Sequence, residues 1–391
     1  MLNKKLEAYF SVIKNSNIYT SFYDGIHDYR DAPILYKDKL RELLDRNFDI
    51  QKEEKGVYLV RSGGSTQKPL VFPVDIKENL EQRQLLAQQL IKKGVLPPKT
   101  IALNLFSYRD MYRTAAILDD ILERADTTTL ALSSSASFEL IYQTITQYNP
   151  SLILGTPSKL TLFANYLLEN KKSISIKNLV FGGEYLQPSQ QKLFSTIFNT
   201  DHIYSLYGSA ETGIWAWADY SEKEIAFHFL KALSIEISNP DKNGYGAVIV
   251  SNTLRKRFPV FRYNMGDIGK LITKNKQPLL VLKSREANSF SLHSDSYFLT
   301  DFKEVLKEID SYQIQLSLNS TIQTKIQFLL INRQLAPKKI KIRLAHIHKQ
   351  ILAILNSNTT HTQLEVRFAS EDELYMDKTT SKTPQVIDFR S

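Results

Sequence analysis

Apolar residues along this chain follow two rhythms that alternate through its first two thirds. Leu152 to Leu154 and 177–181 are short continuous apolar runs closed by turns, the pattern of strands buried on both faces. Glu78 to Gly94, Ser137 to Tyr148, 158–169 and 188–198 instead repeat apolar positions at helical spacing. Gly56 to Arg61 and Leu70 to Val74 read as strands flanking the polar loop Ser62 to Pro69, with further strands at Thr100 to Phe106 and Thr128 to Leu132. Tyr108 to Arg124 reads as a helix, and residues 1 to about 50 as largely helical, with a turn at Pro33 and an amphipathic stretch from Lys37 to Arg46. Strand and helix in alternation predict an α/β sheet with crossover helices.

From Ile203 to Leu282 the pattern is richer in strands. The tail then reads helix (Asp301 to Glu308), strand (Ile314 to Leu318), strand (Thr324 to Ile331), helix (Pro337 to Leu355) and strand (Gln363 to Phe368), the order of a small two-layer α+β domain. Ile340, Leu344, Ile347, Ile351 and Ile354 recur at helical spacing and are predicted to be core. The expected organisation is a large α/β domain over 1–283 and a small, mobile α+β domain over 284–391.

Glycine sharpens this division. The chain has only 14, eight of which fall between Gly182 and Gly269, and none follows Gly269. Glycines clustered where the residue is scarce mark backbone that turns with positive φ or approaches a ligand closely. Gly244 and Gly246 read as ordinary turns.

The 391 residues are 42% hydrophobic and 23% charged, a globular composition. With no cysteine, disulfides, thiolate metal sites and a cysteine nucleophile are excluded. His346, His348 and His361 lie in a stretch without acidic residues between Asp310 and Glu365, which leaves them short of a metal-ligand set. No apolar run reaches the roughly 18 residues of a membrane span and no signal-peptide core opens the chain, so no membrane and a cytoplasmic location are expected. A formal charge of +9 suits a polyanionic partner without identifying it.

The loop Ser62-Gly63-Gly64-Ser65-Thr66-Gln67-Lys68-Pro69 offers backbone N–H groups, two hydroxyls and a lysine to phosphate oxygens, although it does not match the P-loop pattern and a plain hairpin turn has the same composition. Downstream come Gly155-Thr156-Pro157-Ser158, Gly182-Gly183-Glu184, Tyr207-Gly208-Ser209-Ala210-Glu211 and Arg262-Tyr263-Asn264-Met265-Gly266-Asp267. Their order and separations resemble the adenylate-forming superfamily of acyl-CoA synthetases and adenylation domains, and within it the phenylacetate-CoA ligase-like branch, which also has a histidine-containing strand like that at His228. The resemblance runs from about Ala32 to the C-terminus.

That resemblance implies an ATP-dependent, AMP-forming ligase that converts a carboxylic acid to an acyl-adenylate and passes the acyl group to a thiol of CoA or of a carrier protein's phosphopantetheine. It implies ATP and Mg²⁺, with Glu211 as metal ligand and Ser62, Gly63, Gly64, Ser65, Thr66 and Lys68 around the terminal phosphates. Asp267 would accept both ribose hydroxyls, a task suited to a carboxylate with two acceptor oxygens. Gly182, Gly183, Tyr204 and Tyr207 would form the adenine slot, with Glu184, Gly208 and Ser209 in the same ATP motifs. Arg262, as a catalytic residue, and Arg285 would add charge near the nucleotide. Lys382, in the closing segment Ser381 to Arg390, would bridge carboxylate and α-phosphate as a catalytic residue, with Lys378 as the other register.

Phe106, Tyr108, Met111, Trp215 and Trp217 are candidates for the acyl pocket, and their bulk points to a small, planar or short acid. The chain departs from the family pattern at Gln67 and Ala210, where glycine and threonine are usual, and in the hinge Lys283 to Asn288, which lacks the usual glycine and aspartate. Losing one hydrogen bond to a charged group costs on the order of 1.5–3 kcal/mol unless replaced, and Ser209 or Thr212 is placed to replace it. The seven lysines and arginines without an acid between Ser311 and Leu364 read either as an ordinary solvated face or as a docking surface for an acidic carrier protein or for CoA phosphates. Transfer to an amine or protein side chain, and nucleotide binding without turnover, are the other readings. Nucleic acid, suggested only by Lys338, Lys339, Lys341 and Arg343, ranks below these.

Overall fold

The structure is a computed structural model that describes residues 2–53, 55–61, 70–108, 111–285, 289–292, 295–307, 309–331, 337–355, 362–375 and 385–390. Ser62, Gly63, Gly64, Ser65, Thr66, Gln67, Lys68, Lys378 and Lys382 lie outside these residues, as do the side chains of Arg285, Lys338, Lys339, Ile340 and Lys341.

Helices α1 (Leu2–Ile13) and α2 (Lys37–Asn47) open the chain and are followed by a hairpin of β1 (Val57–Arg61) and β2 (Val71–Asp75). Then come α3 (Ile76–Lys92), β3 (Ile101–Asn104), α4 (Thr114–Arg124), β4 (Thr128–Ala131), α5 (Phe138–Tyr148), β5 (Leu152–Gly155), α6 (Pro157–Glu169), β6 (Asn178–Gly182), α7 (Pro188–Ile197), β7 (His202–Ser209), β8 (Gly213–Asp219) and β9 (His228–Phe229). Seven strands form one sheet in the order β4-β3-β5-β6-β7-β8-β9, parallel through β7 and antiparallel beyond it. The crossings begin where the sequence supplies caps. Asp75 accepts from Glu78 N at 3.0 Å, Ser137 from Leu140 N at 3.2 Å, and Thr156 caps α6 ahead of Pro157.

A four-stranded antiparallel sheet follows: β10 (Leu233–Ser238), β11 (Gly246–Asn252), β12 (Val260–Lys274) and β13 (Gln277–Arg285). The N-terminal segment is bound to it. Leu35 exchanges backbone hydrogen bonds with Arg262 and Asn264, and the Tyr19 hydroxyl donates to Pro259 O at 2.6 Å. Phe10, Tyr23 and Phe261 pack ring against ring beneath it.

The remaining elements are β14 (Ser289–Leu292), β15 (Asp295–Phe298), α8 (Lys303–Leu306), β16 (Ser311–Leu318), β17 (Thr324–Ile331), α9 (Pro337–Leu355), β18 (Gln363–Phe368) and β19 (Val386–Asp388). Two hydrophobic clusters are distinct: one runs from Leu6 to Leu280, the other from Phe290 to Leu355. Ile347, Ile351 and Ile354 are buried in the second, and Leu344 packs against it.

Three details differ from the sequence expectations. Met111 has φ +69° and Arg113 has φ −117° and ψ 26°, neither of them helical, so the helix begins at Thr114. The expected helix from Asp301 is one short turn, α8. The hairpin of β14 and β15 and the short strand β19 carry too few alternating positions to register as strands in the sequence. No helix of the described residues is long and apolar enough to cross a membrane.

Candidate active site

In an open parallel sheet, ligands bind outside the carboxyl ends of the strands. Here the register aligns those ends: Gly155 pairs with Phe181, Phe181 with Ser205 and Gly182 with Leu206. Phe106, residues 155–158, 182–184 and 207–209 therefore emerge along one edge. A side chain at Gly182 would be tight, with its Cβ 3.2 Å from Leu206 O. Gly183 turns the chain with φ +80°.

The turn between β7 and β8 is locked by its own hydroxyls. Ser209 N donates to Thr212 Oγ1 at 3.1 Å and Thr212 N returns a bond to Ser209 Oγ at 3.2 Å. Trp215, wholly buried, donates its indole N–H to Thr212 Oγ1 at 3.1 Å. Behind the turn, Gln82 of α3 donates to Thr212 O and Ile214 O at 3.0 and 2.9 Å, while Asn252 donates to Thr212 O and to Gln82 Oε1, both at 3.0 Å. This network holds Glu211 at 3% exposure, with its carboxylate making no hydrogen bond or ion pair to any described residue. Among the described residues no three His, Cys, Asp or Glu side chains converge as a metal cage. An unpartnered carboxylate of this kind fits Mg²⁺, which usually takes one or two carboxylates and completes its shell with water and substrate phosphates.

Sixty residues further on, Asp267 projects from β12 toward the same turn. The Tyr207 hydroxyl donates to Asp267 Oδ2 at 2.6 Å, and Asp267 is 8% exposed. The Tyr207 ring is fixed edge-on against Trp215, with centroids 5.0 Å apart, and lies 5.5 Å from Phe227. Gly266 reaches its φ of +72° with its N–H bound to Asn264 Oδ1 at 2.7 Å. Across the ladder, Asp267 stands opposite Arg285.

Glu184 accepts from Ser158 N at 2.8 Å and Ser158 Oγ at 2.7 Å, joining the 155–158 loop to the 182–184 loop. Burial pushes its carboxyl up to about 7, against the hydrogen bonds from Ser158 and Thr156 and the charge of Arg390, which hold it down. Ser158, Glu184 and Tyr185 line one wall of a cleft whose other wall includes Gln323, Thr324 and Arg390. The Arg390 guanidinium is held by Asp388 at 2.7 and 2.8 Å.

Tyr204 stacks on His202 at 5.6 Å, and burial pushes its phenol up to about 12. Arg262 turns its guanidinium to the carbonyls of Ala32 and Arg30 and pairs with Glu236 at 3.1 Å, which makes it an anchor for the N-terminal segment. Phe106 is buried beside Gly182, while Tyr108 and Met111 are exposed. Trp217 stacks on His228 at 5.7 Å. Ala210 brings no hydroxyl to the turn, and those of Ser209 and Thr212 bond to each other at 3.0 Å.

Gln82 and Asn252 were not singled out by sequence reasoning. The signal for Gln82 is its place at helical spacing with the buried Leu86 and Leu90 of α3, a face that Asn79 and Arg83 share, whereas Asn252 ends a strand and gives no such signal.

No protein-family model matches the chain. Among curated proteins it is similar to the indoleacetate–lysine synthetase of Pseudomonas savastanoi, 28% identical over 187 residues that make up 47% of this chain and 46% of the relative. The chain thus aligns with about half the length of that relative. Among solved structures, 2-hydroxyisobutyryl-CoA ligase with 2-HIB-AMP and CoA in its thioesterification state superposes with a TM-score of 0.74 at 14% identity, covering 99% of this chain and 88% of the other. The score is 0.63 for an open form of that ligase and 0.61 for its postadenylation state. The amide bond synthetase McbA of Marinactinospora thermotolerans superposes with a TM-score of 0.58 at 12% identity, covering 98% and 92%. The chain has the fold these ligases share.

Proposed function

We propose that this chain, which has the fold of the adenylate-forming ligases, uses ATP to convert a small carboxylic acid to its acyl-adenylate and then transfers the acyl group to an acceptor. The observation that carries this reading is the hydrogen bond from Tyr207 to Asp267, which joins two ATP motifs at the carboxyl edge of the parallel sheet.

Each residue has a physical task in this reading. Asp267, buried and oriented by Tyr207, accepts the ribose hydroxyls. Glu211 contributes a carboxylate to Mg²⁺, whose charge offsets that of the phosphates when bound. Gly182 and Gly183 border the adenine base, as the family resemblance implies, and Phe106, beside Gly182, borders the acid. Ser62 to Lys68 hold the terminal phosphates and Lys382 the α-phosphate, as the family resemblance implies.

A thiol acceptor, CoA or a carrier protein's phosphopantetheine, is favoured by the superposition on a CoA ligase and by the acid-free basic stretch from Ser311 to Leu364, which suits a phosphate-bearing or acidic partner. Transfer to an amine is the second reading, favoured by similarity to a synthetase whose name joins its acid to lysine. The test is pyrophosphate release with a panel of carboxylic acids. CoA, a phosphopantetheinylated carrier protein and lysine are then supplied in turn, and the product is identified by mass as thioester or amide. Absence of acid-dependent pyrophosphate from every acid would overturn the proposal.

A further inference from the structure

Beneath the β1–β2 hairpin, three arginines from separate parts of the chain converge on Tyr58. Arg113, just before α4, places its guanidinium carbon 4.4 Å from the centre of the Tyr58 ring. Arg83 of α3 reaches the Tyr58 hydroxyl at 3.5 Å. Arg255, in the turn after β11, is 1% exposed and within electrostatic reach of Tyr58 and Arg83, and burial holds its guanidinium below the usual arginine range.

What sets this cluster apart is its unmatched hydrogen-bonding capacity. Arg255 donates from Nη2 to Asn79 Oδ1 at 2.9 Å, but its Nε and Nη1 have no partner among the described residues. Arg83 Nε, Arg113 Nε and Asn79 Nδ2 are likewise buried without partners. Among the described residues two acids are near, Asp120 engaged through both oxygens and Glu78 through one. Asp120 lies 3.5 Å from Arg83 but binds Arg124 at 2.9 Å, and Glu78 accepts from Lys256 N and Arg257 N through Oε1, leaving Oε2 unpartnered. Buried charges are ordinarily paired, and buried donors ordinarily find acceptors.

We propose that Arg83, Arg113 and Arg255, with Asn79, form a binding site for a phosphate-type oxyanion. The donors come from α3, from the segment before α4 and from the turn after β11, and a tetrahedral anion supplies acceptors in several directions. The approach is from the side of Tyr58 and Arg113, which are only half-buried. Gly213 is part of the same wall, because a Cβ there would come 2.8 Å from Arg255 Nη2 and 2.7 Å from Gln82 Nε2. The site therefore touches the turn that carries Glu211. The anion is either pyrophosphate, as released in the proposed reaction, or free phosphate.

The experiment uses the full chain without ATP, acid or acceptor, titrated calorimetrically with sodium pyrophosphate and separately with sodium phosphate at constant ionic strength. Arg113→Gln and Arg83→Gln, checked for native circular dichroism, serve as variants alongside Arg113→Lys. The expected result is saturable binding of at least one anion, weakened at least tenfold in each glutamine variant and less in Arg113→Lys. Tighter binding of pyrophosphate identifies the reaction product as the source, and equal or tighter binding of phosphate identifies free phosphate. No saturable heat with either anion, or equal binding by wild type and both glutamine variants, overturns the proposal. Because no step of adenylation enters the assay, this failure is separate from failure of acid-dependent pyrophosphate release.

Discussion

The hydroxyl of Tyr207 donates a 2.6 Å hydrogen bond to Oδ2 of Asp267, and through it the seven-stranded sheet orients a carboxylate carried by the neighbouring four-stranded sheet. A phenol held between Trp215 and Phe227 cannot swing away, so the carboxylate is positioned before any ligand arrives. Tyr207→Phe keeps the ring packing and removes only the donor. A hydrogen bond to a charged group is worth roughly 1.5–3 kcal/mol. The expected outcome is an ATP KM raised about tenfold or more with a smaller change in kcat, measured by acid-dependent pyrophosphate release.

Gly213→Ala should be more damaging than an ordinary turn substitution. Its φ of +70° disfavours a side chain, and the new Cβ would collide with Gln82 and Arg255 behind the Glu211 turn. Displacing Gln82 leaves Ile214 O without its donor, at about 1–3 kcal/mol, and leaves Thr212 O and Asn252 Nδ2 with only the bond to each other. Thermal unfolding should show a loss of several kcal/mol, and the residual folded protein should have little activity.

Arg262→Met separates anchoring from chemistry. With its guanidinium bound to Ala32, Arg30 and Glu236, the loss should appear as lowered stability, on the order of 1–3 kcal/mol. Pyrophosphate release per folded molecule should change less than it does in Asp267→Ala. Denaturant unfolding together with kinetics on the same preparation checks both halves.

Glu184 gives a pH signature. Its carboxyl rises in the folded chain from an ordinary 4.5 to about 7, so the native state binds a proton more tightly than the unfolded chain, and stability is lost as pH rises from about 4.5 to 7. Glu184→Gln stays neutral throughout. The Tm of the variant relative to wild type should therefore climb between pH 5 and pH 8, by the equivalent of about 1–3 kcal/mol. A constant difference across that range would show that the carboxyl titrates normally.

The parts of this architecture legible in the sequence were those whose pattern is local. Leu152 to Leu154 is buried on both sides because it lies inside a parallel sheet, and 337–355 repeats its apolar face over five turns, so each declares itself without its neighbours. The segment 108–113 misled because its aromatic and charged residues fit a helix, while the backbone turns through positive φ at Met111 to start α4 at Thr114. At the site, the motifs themselves could be read, but Tyr207 and Asp267 are sixty residues apart and their contact is a product of sheet packing. The same holds for Arg255, whose burial against Gly213 and Asn79 follows from the fold and leaves no trace in local spacing.

The central claim is adenylation, and ATP–pyrophosphate exchange measures it most directly. With Mg²⁺ and a panel of small carboxylic acids, wild-type protein should catalyse exchange of labelled pyrophosphate into ATP that depends on at least one acid, and Asp267→Ala should reduce it by about a hundredfold or more, as expected when a buried ligand-binding carboxylate is removed. Glu211→Gln should reduce it as well, with a smaller effect on ATP binding than on rate. No exchange with any acid, or exchange that Asp267→Ala leaves unchanged, would contradict the account.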